Sequence, residues 1–307
     1  MSDPTKLVQN PPRGPIEPVR LGLDDEIQFQ CRPGIACWNE CCRSIDIQLT
    51  PYDVLRLARR LGMPTWQFLA EYTYQFDMDP HGTPGIKLKP VEGDTACRFL
   101  REEGCGVYED RPAACRYYAL GAMGLRKMGT SEVEDMYFLV REPHCLGHRE
   151  PRRITIREYR REQGVEKYDE MNREWRDIVL KKRSSGPTIG APSERSFDLF
   201  FMASYDLDSF RLFTQSEGFR DMFDLPEAEL KRLEEDDEAL LAFAMRFLKQ
   251  VLFGERTIPL RPGARERRLA QRKAQIEARL KAEAERRQAH DPRYDEPDEG
   301  EGKGRND

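Results

Sequence analysis

Apolar residues recur at helical spacing over most of this chain and alternate over only a few short runs. Thr50-Pro-Tyr-Asp53 reads as a helix start, with Thr50 as cap, Pro51 in the first turn and Asp53 at the positive end. Val54, Leu55, Leu57, Ala58 and Leu61 then make one apolar face, and Gly62 stops the helix. Thr65 opens a second, shorter helix through Trp66, Phe68 and Leu69. Gly85–Val91 alternates like a strand, and Glu103–Tyr108 is a tight turn running into a short extended segment. Pro112 suits the first position of a helix. Extended runs are expected at Tyr117–Arg126 and Met136–Val140, joined by a Gly-containing turn.

From Thr155 the pattern becomes helical throughout. Thr155-Ile-Arg-Glu158 has capping-box spacing, Gly164 is a break, and a further helix covers Glu166–Lys182. Breaker residues fill Lys182–Ser193. Aromatic-rich faces follow at Phe197, Leu199, Phe200, Phe210, Leu212 and Phe213, and Asp237–Phe253 carries a broad apolar surface suited to a packed helical core. Arg261-Pro-Gly-Ala264 separates this from Arg265–Gln288, a basic helix with a thin stripe of Leu269, Ile276 and Leu280. Four segments result: an extended N-terminal arm over 1–24, a cysteine-cluster metal-binding domain over 25–150, a helical region over 151–260, and a charged helix with a disordered tail over 261–307. The expected fold class is α+β, predominantly helical, with the short strands confined to the cysteine-rich domain.

Composition changes this picture little. With 307 residues, 38% hydrophobic and 34% charged, the chain is long enough to bury a core, and a formal net charge of -5 gives no field suited to nucleic acid. No apolar run approaches the roughly 20 residues needed to span a bilayer. The N-terminal residues lack a secretory h-region, so the expected location is cytoplasmic.

The cysteines change it a great deal. Seven of eight fall in two groups: Cys31, Cys37, Cys41 and Cys42, then Cys97, Cys105 and Cys115. The eighth, Cys145, lies between His144 and His148, either of which is close enough to join a site. In a reducing compartment such spacing means metal binding rather than disulfides. Side chains at Cys41 and Cys42 are expected to diverge, as they would on a helix or strand, which argues for two centres, a multinuclear cluster, or one ligand plus one packed thiol over one simple zinc site. Eight thiols could fill two four-sulfur sites, with zinc or as iron–sulfur centres, and spacing alone leaves the metal open. Arginines directly follow Cys31, Cys42, Cys97 and Cys115, and Arg43 and Arg116 are the expected charge compensators. Cys115 gains a second device if the helix opened by Pro112 places it in the first turn, where the dipole favours a thiolate.

These motifs resemble the YkgJ-type cysteine-cluster family, whose domain is described as zinc- or iron-chelating. The matching elements are Cys37-Trp-Asn-Glu-Cys-Cys-Arg43, Leu49–Leu57, Cys97-Arg-Phe-Leu100, Gly104–Arg116 and Cys145-Leu-Gly147, and Lys167–Asn172 resembles the region that follows in longer members. The family's tighter Cys-x-x-Cys-x-x-Cys-Cys run is spread here, with five and three residues between the first three cysteines. The resemblance implies a bound zinc or iron, and a link to proteins similar to flagellin lysine N-methylase implies an iron–sulfur enzyme as an alternative. It brings no matched catalytic residues. The chain shows no glycine-rich nucleotide loop, no Ser/His/Asp order and no His-Glu-x-x-His. The leading expectation is a metal-binding protein with a redox or metal-handling role, its partner a metal ion and its protein partner unidentified. A zinc-stapled interaction module is the third reading.

Overall fold

The computed structural model describes residues 15–17, 19–126, 133–184 and 194–289. Most of the expected N-terminal arm, the turn before Val133, residues 185–193 of the expected loop and the tail from Asp291 lie outside these residues. In chain order the elements are β1 (Glu26–Gln28), a 3-10 turn (Glu40–Cys42), β2 (Gln48–Leu49), α1 (Pro51–Leu61), α2 (Thr65–Tyr72), β3 (Thr73–Asp77) and β4 (Pro84–Leu88). Then come β5 (Leu100–Arg101), β6 (Gly104–Cys105), a 3-10 turn (Tyr108–Asp110), α3 (Ala113–Arg116), β7 (Leu120–Arg126), β8 (Val133–Leu139), a 3-10 turn (Gly147–Arg149) and β9 (Arg153–Thr155). The remainder is helical: α4 (Ile156–Gln163), α5 (Val165–Ser184), α6 (Glu194–Tyr205), α7 (Leu207–Gln215), α8 (Glu217–Met222), α9 (Glu227–Glu235), α10 (Asp237–Phe253) and α11 (Ala264–Ala289). The α+β, mostly helical expectation holds. None of the described helices is long and apolar enough to cross a membrane.

Two compact units divide the chain. One comprises Met1–Ser216 with Pro226–Ile258, the other Glu217–Leu225 with Pro259–Asp307. The smaller unit contains α8 and α11, which pack together, and Leu269 and Leu280 of α11 are exposed. The larger unit holds all eight cysteines and four small antiparallel sheets: β2-β4-β3, β1-β9, β5-β6 and β7-β8.

Both capping boxes form as their spacing requires. Thr50 and Asp53 exchange side-chain and backbone bonds at the start of α1, Thr155 and Glu158 do so at α4, and Gly62 and Gly164 close the two helices in the left-handed conformation. Pro112 is the cap of α3 rather than its first residue. The aromatic faces pack into a core in which Phe200, Phe210, Phe243 and Phe247 are buried, so packing and not a ligand accounts for them. Leu212, expected on that face, is 69% exposed.

The three-residue pair β1–β9 had no clear alternation of its own. Its Ile27 and Ile154 are cross-strand partners buried with Phe29, Leu120, Tyr137 and Tyr159. This cluster brings the chain before Cys31 beside the chain after Cys145. On the other side of the cysteine region, α1 packs on α5 and α10: the Asn172 amide oxygen accepts the Tyr52 N–H at 3.2 Å, and the Tyr52 hydroxyl donates to Glu238 at 2.9 Å.

Asp53 joins two helix starts. One carboxylate oxygen accepts the Thr50 N–H at 2.8 Å and the other accepts the Ala113 N–H at 2.8 Å, which fixes α3 to α1. Burial holds this carboxyl up to about 6, against 3.8 in water. The folded protein therefore keeps the proton to higher pH than the unfolded chain, so the group's contribution is largest at low pH and falls as pH rises through 6. Asp53→Ala should lower unfolding free energy by about 1–3 kcal/mol near pH 5, through loss of a cap and of buried acceptors. The gap from wild type should narrow by about 1 kcal/mol by pH 7. Denaturant titrations at the two pH values measure this, and a gap that widens would mean the carboxyl is shifted the other way.

Candidate metal centre

Backbone bonds bring the scattered cysteines together. The Cys97 N–H donates to the Cys42 carbonyl at 2.7 Å, and the Leu100 N–H to the Cys97 carbonyl at 3.0 Å. Leu100 lies opposite Cys105 in the β5–β6 hairpin. Gly104 in that hairpin has φ +134°, a conformation side chains rarely adopt, which explains a glycine immediately before Cys105. Cys115 sits on α3, held to α1 through Asp53 and packed against β2 and α5.

A second set of bonds gathers the remaining cysteines. The Gln30 N–H donates to the Gly147 carbonyl at 3.1 Å, and the Leu146 N–H donates to the Cys37 sulfur at 3.2 Å. A Cβ at Gly147 would stand 2.6 Å from the Phe29 ring and 2.9 Å from the Gln30 carbonyl, so only glycine permits this approach. Cys31 and Cys37 are thus tied to Cys145.

Cys41 acts on both sets through its charge. Negative charge on it raises Cys31, Cys42, Cys97, Cys105, Cys115 and Cys145. Burial is the larger cause of the upward shift in five of these, and a hydrogen bond with Cys41 is the larger cause in Cys42. Cys31 is pushed up to about 11, by partial withdrawal from water and then by Cys41, Cys37 and Cys145. Cys41 moves the other way, because the neighbouring Cys42 thiol favours its thiolate.

Asn39 takes the left-handed conformation at φ 68°, and Cys41 and Cys42 fall on the 3-10 turn that follows. One correction concerns Cys115, whose thiol is raised, not lowered: burial outweighs any effect of a four-residue helix.

The arginines are a second correction. Arg32 pairs with Glu150 at 2.9 Å and Arg43 with Glu40 at 2.9 Å. Arg98 donates to the Pro90 and Glu71 carbonyls. The buried Arg116 binds the carbonyls of Arg111, Gln163 and Glu109, with its guanidinium 4.2 Å from the centre of the Tyr168 ring. It is a structural clamp. The cations that do favour thiolates are Arg111, which offsets part of the rise at Cys31 and Cys105 while its guanidinium lies 4.0 Å from the centre of the Tyr108 ring, and Arg101, which offsets part of it at Cys105. No sequence signal set these two apart, since neither follows a cysteine.

The Tyr118 hydroxyl, also unanticipated, hydrogen-bonds Glu142 at 2.6 Å and His144 at 2.9 Å, and supports a thiolate at Cys145. His148 is buried against Phe29, its Nε2 3.0 Å from the Val140 carbonyl. Both histidines are thus engaged through Nε2 with protein groups. All eight cysteines are unpaired thiols. Among the described residues, no three His, Cys, Asp or Glu side chains stand ready around one ion. The donor set fits zinc or iron in kind, being soft, sulfur-rich and backed by an N–H···S bond.

Residues 30–146 match the CxxCxxCC family model, whose description reads "Putative zinc- or iron-chelating domain". The match covers less than half of the chain and is a likeness to that domain. The match spans all eight cysteines and agrees with the motifs that suggested the family. No curated protein and no solved structure matches the chain.

Thiol reactivity over residues 30–146 should follow charge and burial. In reduced, metal-free protein, iodoacetamide should modify Cys41, whose thiolate its neighbour favours, at least ~10-fold faster than the buried Cys115, because only the thiolate attacks. Peptide mass spectrometry after brief labelling reads the order. Equal labelling of the two would show that these surroundings do not govern reactivity.

Proposed function

We infer that the chain is a metal-binding protein in which Cys31, Cys37, Cys41, Cys42, Cys97, Cys105, Cys115 and Cys145 hold zinc or iron, with a metal-handling or redox role. Residues 25–150 carry this function and the helices of residues 151–260 support it. The observation that carries the reading is the likeness of residues 30–146, which hold all eight cysteines, to a zinc- or iron-chelating domain, supported by the bonds that bring Cys42 beside Cys97 and the Cys37 sulfur beside the Leu146 N–H. Packing so many thiols together raises the cost of ionising each, and a bound cation removes that cost by favouring thiolate. The N–H of Leu146 on the Cys37 sulfur is the kind of bond that steadies a ligating thiolate. Holding an ion requires the sulfurs to turn toward a common point, which soft side-chain rotations allow. Thiolate ligation also calls for a reducing compartment, consistent with a cytoplasmic location.

Anaerobic purification, elemental analysis and an absorption spectrum test the reading. Stoichiometric zinc or iron is expected, with a visible chromophore if the iron is in an iron–sulfur cluster. Cys105→Ser or Cys115→Ser should remove about one ion per chain or its equivalent in a larger cluster. Chelation should lower the thermal midpoint of the wild type, because binding energy is folding energy at such a site. A protein isolated without metal, whose midpoint is unchanged by added zinc or iron, would rule the function out.

A further inference from the structure

Away from the thiols, α2, the edge strand β3 and the junction of α6 with α7 enclose a cleft of about 360 Å³. That volume falls in the range of small-ligand sites. The cleft is lined by no cysteine and, among the described residues, by no Lys or Arg. Its aromatic surface comes from Trp66, in the first turn of α2, and from Phe201 of α6. Trp66 is 55% exposed, an unusual position for the largest side chain in the region. Phe201 is set against the fully buried Tyr205, with ring centres 5.4 Å apart. Leu69 adds buried apolar surface, and the Thr73 hydroxyl is already committed to the Leu69 carbonyl at 2.7 Å. The charged group that remains in the lining is Asp206.

Asp206 caps α7, where it accepts the Ser209 N–H at 3.2 Å and the Ser209 hydroxyl at 2.6 Å. The Thr65 hydroxyl lies 3.1 Å from Asp206 and 2.9 Å from Asp208, yet it has a single proton to share between them. Asp208 also accepts the Thr65 N–H at 2.6 Å. Two carboxylates therefore converge on one neutral residue. Among the described residues neither forms an ion pair. Arg59 and Arg211, on the Asp208 side, are both bonded to Asp237. At the rim, the Lys89 ammonium donates to the Ala70 carbonyl at 2.7 Å rather than to either acid. Capping explains the end of α7, but it leaves a negative charge without a cation beside an indole open to solvent.

We propose that this cleft binds a small organic ammonium ion, its charge set between the Asp206 carboxylate and the rings of Trp66 and Phe201. Aromatic faces attract a cation through their quadrupole, and a carboxylate is the strongest partner for an ammonium N–H. The apolar part of the ligand covers Leu69. A neutral molecule of the same shape gains only the apolar contact, and an anion is repelled. The site stands apart from the metal-binding reading and holds whether or not the thiols carry an ion.

Titration of full-length, isotope-labelled protein with benzylamine near neutral pH, where the amine is charged, tests the proposal. The chain has three tryptophans, and the indole N–H signal missing from Trp66→Leu identifies Trp66. That signal should shift saturably in the wild type, with a Kd on the order of 1 mM. Benzyl alcohol, similar in size and neutral, should bind at least ~10-fold more weakly. Asp206→Asn keeps a side chain that caps as well as aspartate, and should weaken benzylamine binding about 10-fold. Trp66→Leu keeps apolar bulk without a ring and should weaken it about 3-fold, read on neighbouring backbone amides. Equal affinity for the amine and the alcohol would overturn the proposal. So would unchanged affinity in Asp206→Asn, or no saturable shift of the Trp66 signal up to ~20 mM amine. Should Asp206→Asn fail to fold, the comparison of the two ligands on the wild type decides.

Discussion

The buried Asp53 carboxyl is the point from which the cysteine domain is arranged. A carboxyl withdrawn from water is costly unless its oxygens are satisfied, and here each accepts a backbone N–H that opens a helix. The two N–H groups belong to α1 and α3, so one side chain sets the angle between the helix that anchors the domain to α5 and α10 and the short helix that carries Cys115. Arg116 completes the arrangement from behind, binding carbonyls before α3 and at the end of α4. These groups are spent on structure. That is why the nearest guanidinium to Cys115 in sequence does not serve its sulfur.

The thiols are left with an unresolved electrostatic conflict. Burial raises most of them, and each raises its neighbours. Arg111, Arg101 and the Cys42 thiol relieve only part of this, at Cys31, Cys105 and Cys41. Under the proposed metal-binding function a soft cation would relieve the rest by replacing the protons, so that proton release and metal uptake would be one equilibrium.

Much of the scaffold was legible in the chain. Thr50-Pro-Tyr-Asp53 and Thr155-Ile-Arg-Glu158 named their helices because capping is a local interaction, decided within four residues. Gly62 and Gly164 named their ends for the same reason. The pair β1–β9 was not legible, since three residues are too few for alternation and the pairing spans more than a hundred positions. The cysteines announced a metal family, and the family match bears that out. Their grouping was another matter: it depends on the Gln30–Gly147 and Cys42–Cys97 bonds, which leave no periodic trace. The arginines misled because adjacency in sequence says little about where a long side chain ends. Arg43 turns to Glu40 and Arg116 to the backbone, whereas Arg111, with no cysteine beside it, acts on Cys31 and Cys105 through its charge while binding the Tyr108 carbonyl and Gln163.

Cys41 and Cys42 follow each other on the 3-10 turn that opens at Asn39, whose left-handed conformation asparagine tolerates better than most residues. The Cys42 carbonyl holds the Cys97 amide, which ties this turn to the segment that leads into the β5–β6 hairpin. Charge on Cys41 raises Cys31 and Cys145 as well as Cys97, Cys105 and Cys115. The Cys-Cys step is therefore where thiols from both ends of the cysteine region come within electrostatic reach of one another, which no regular spacing in the sequence would reveal.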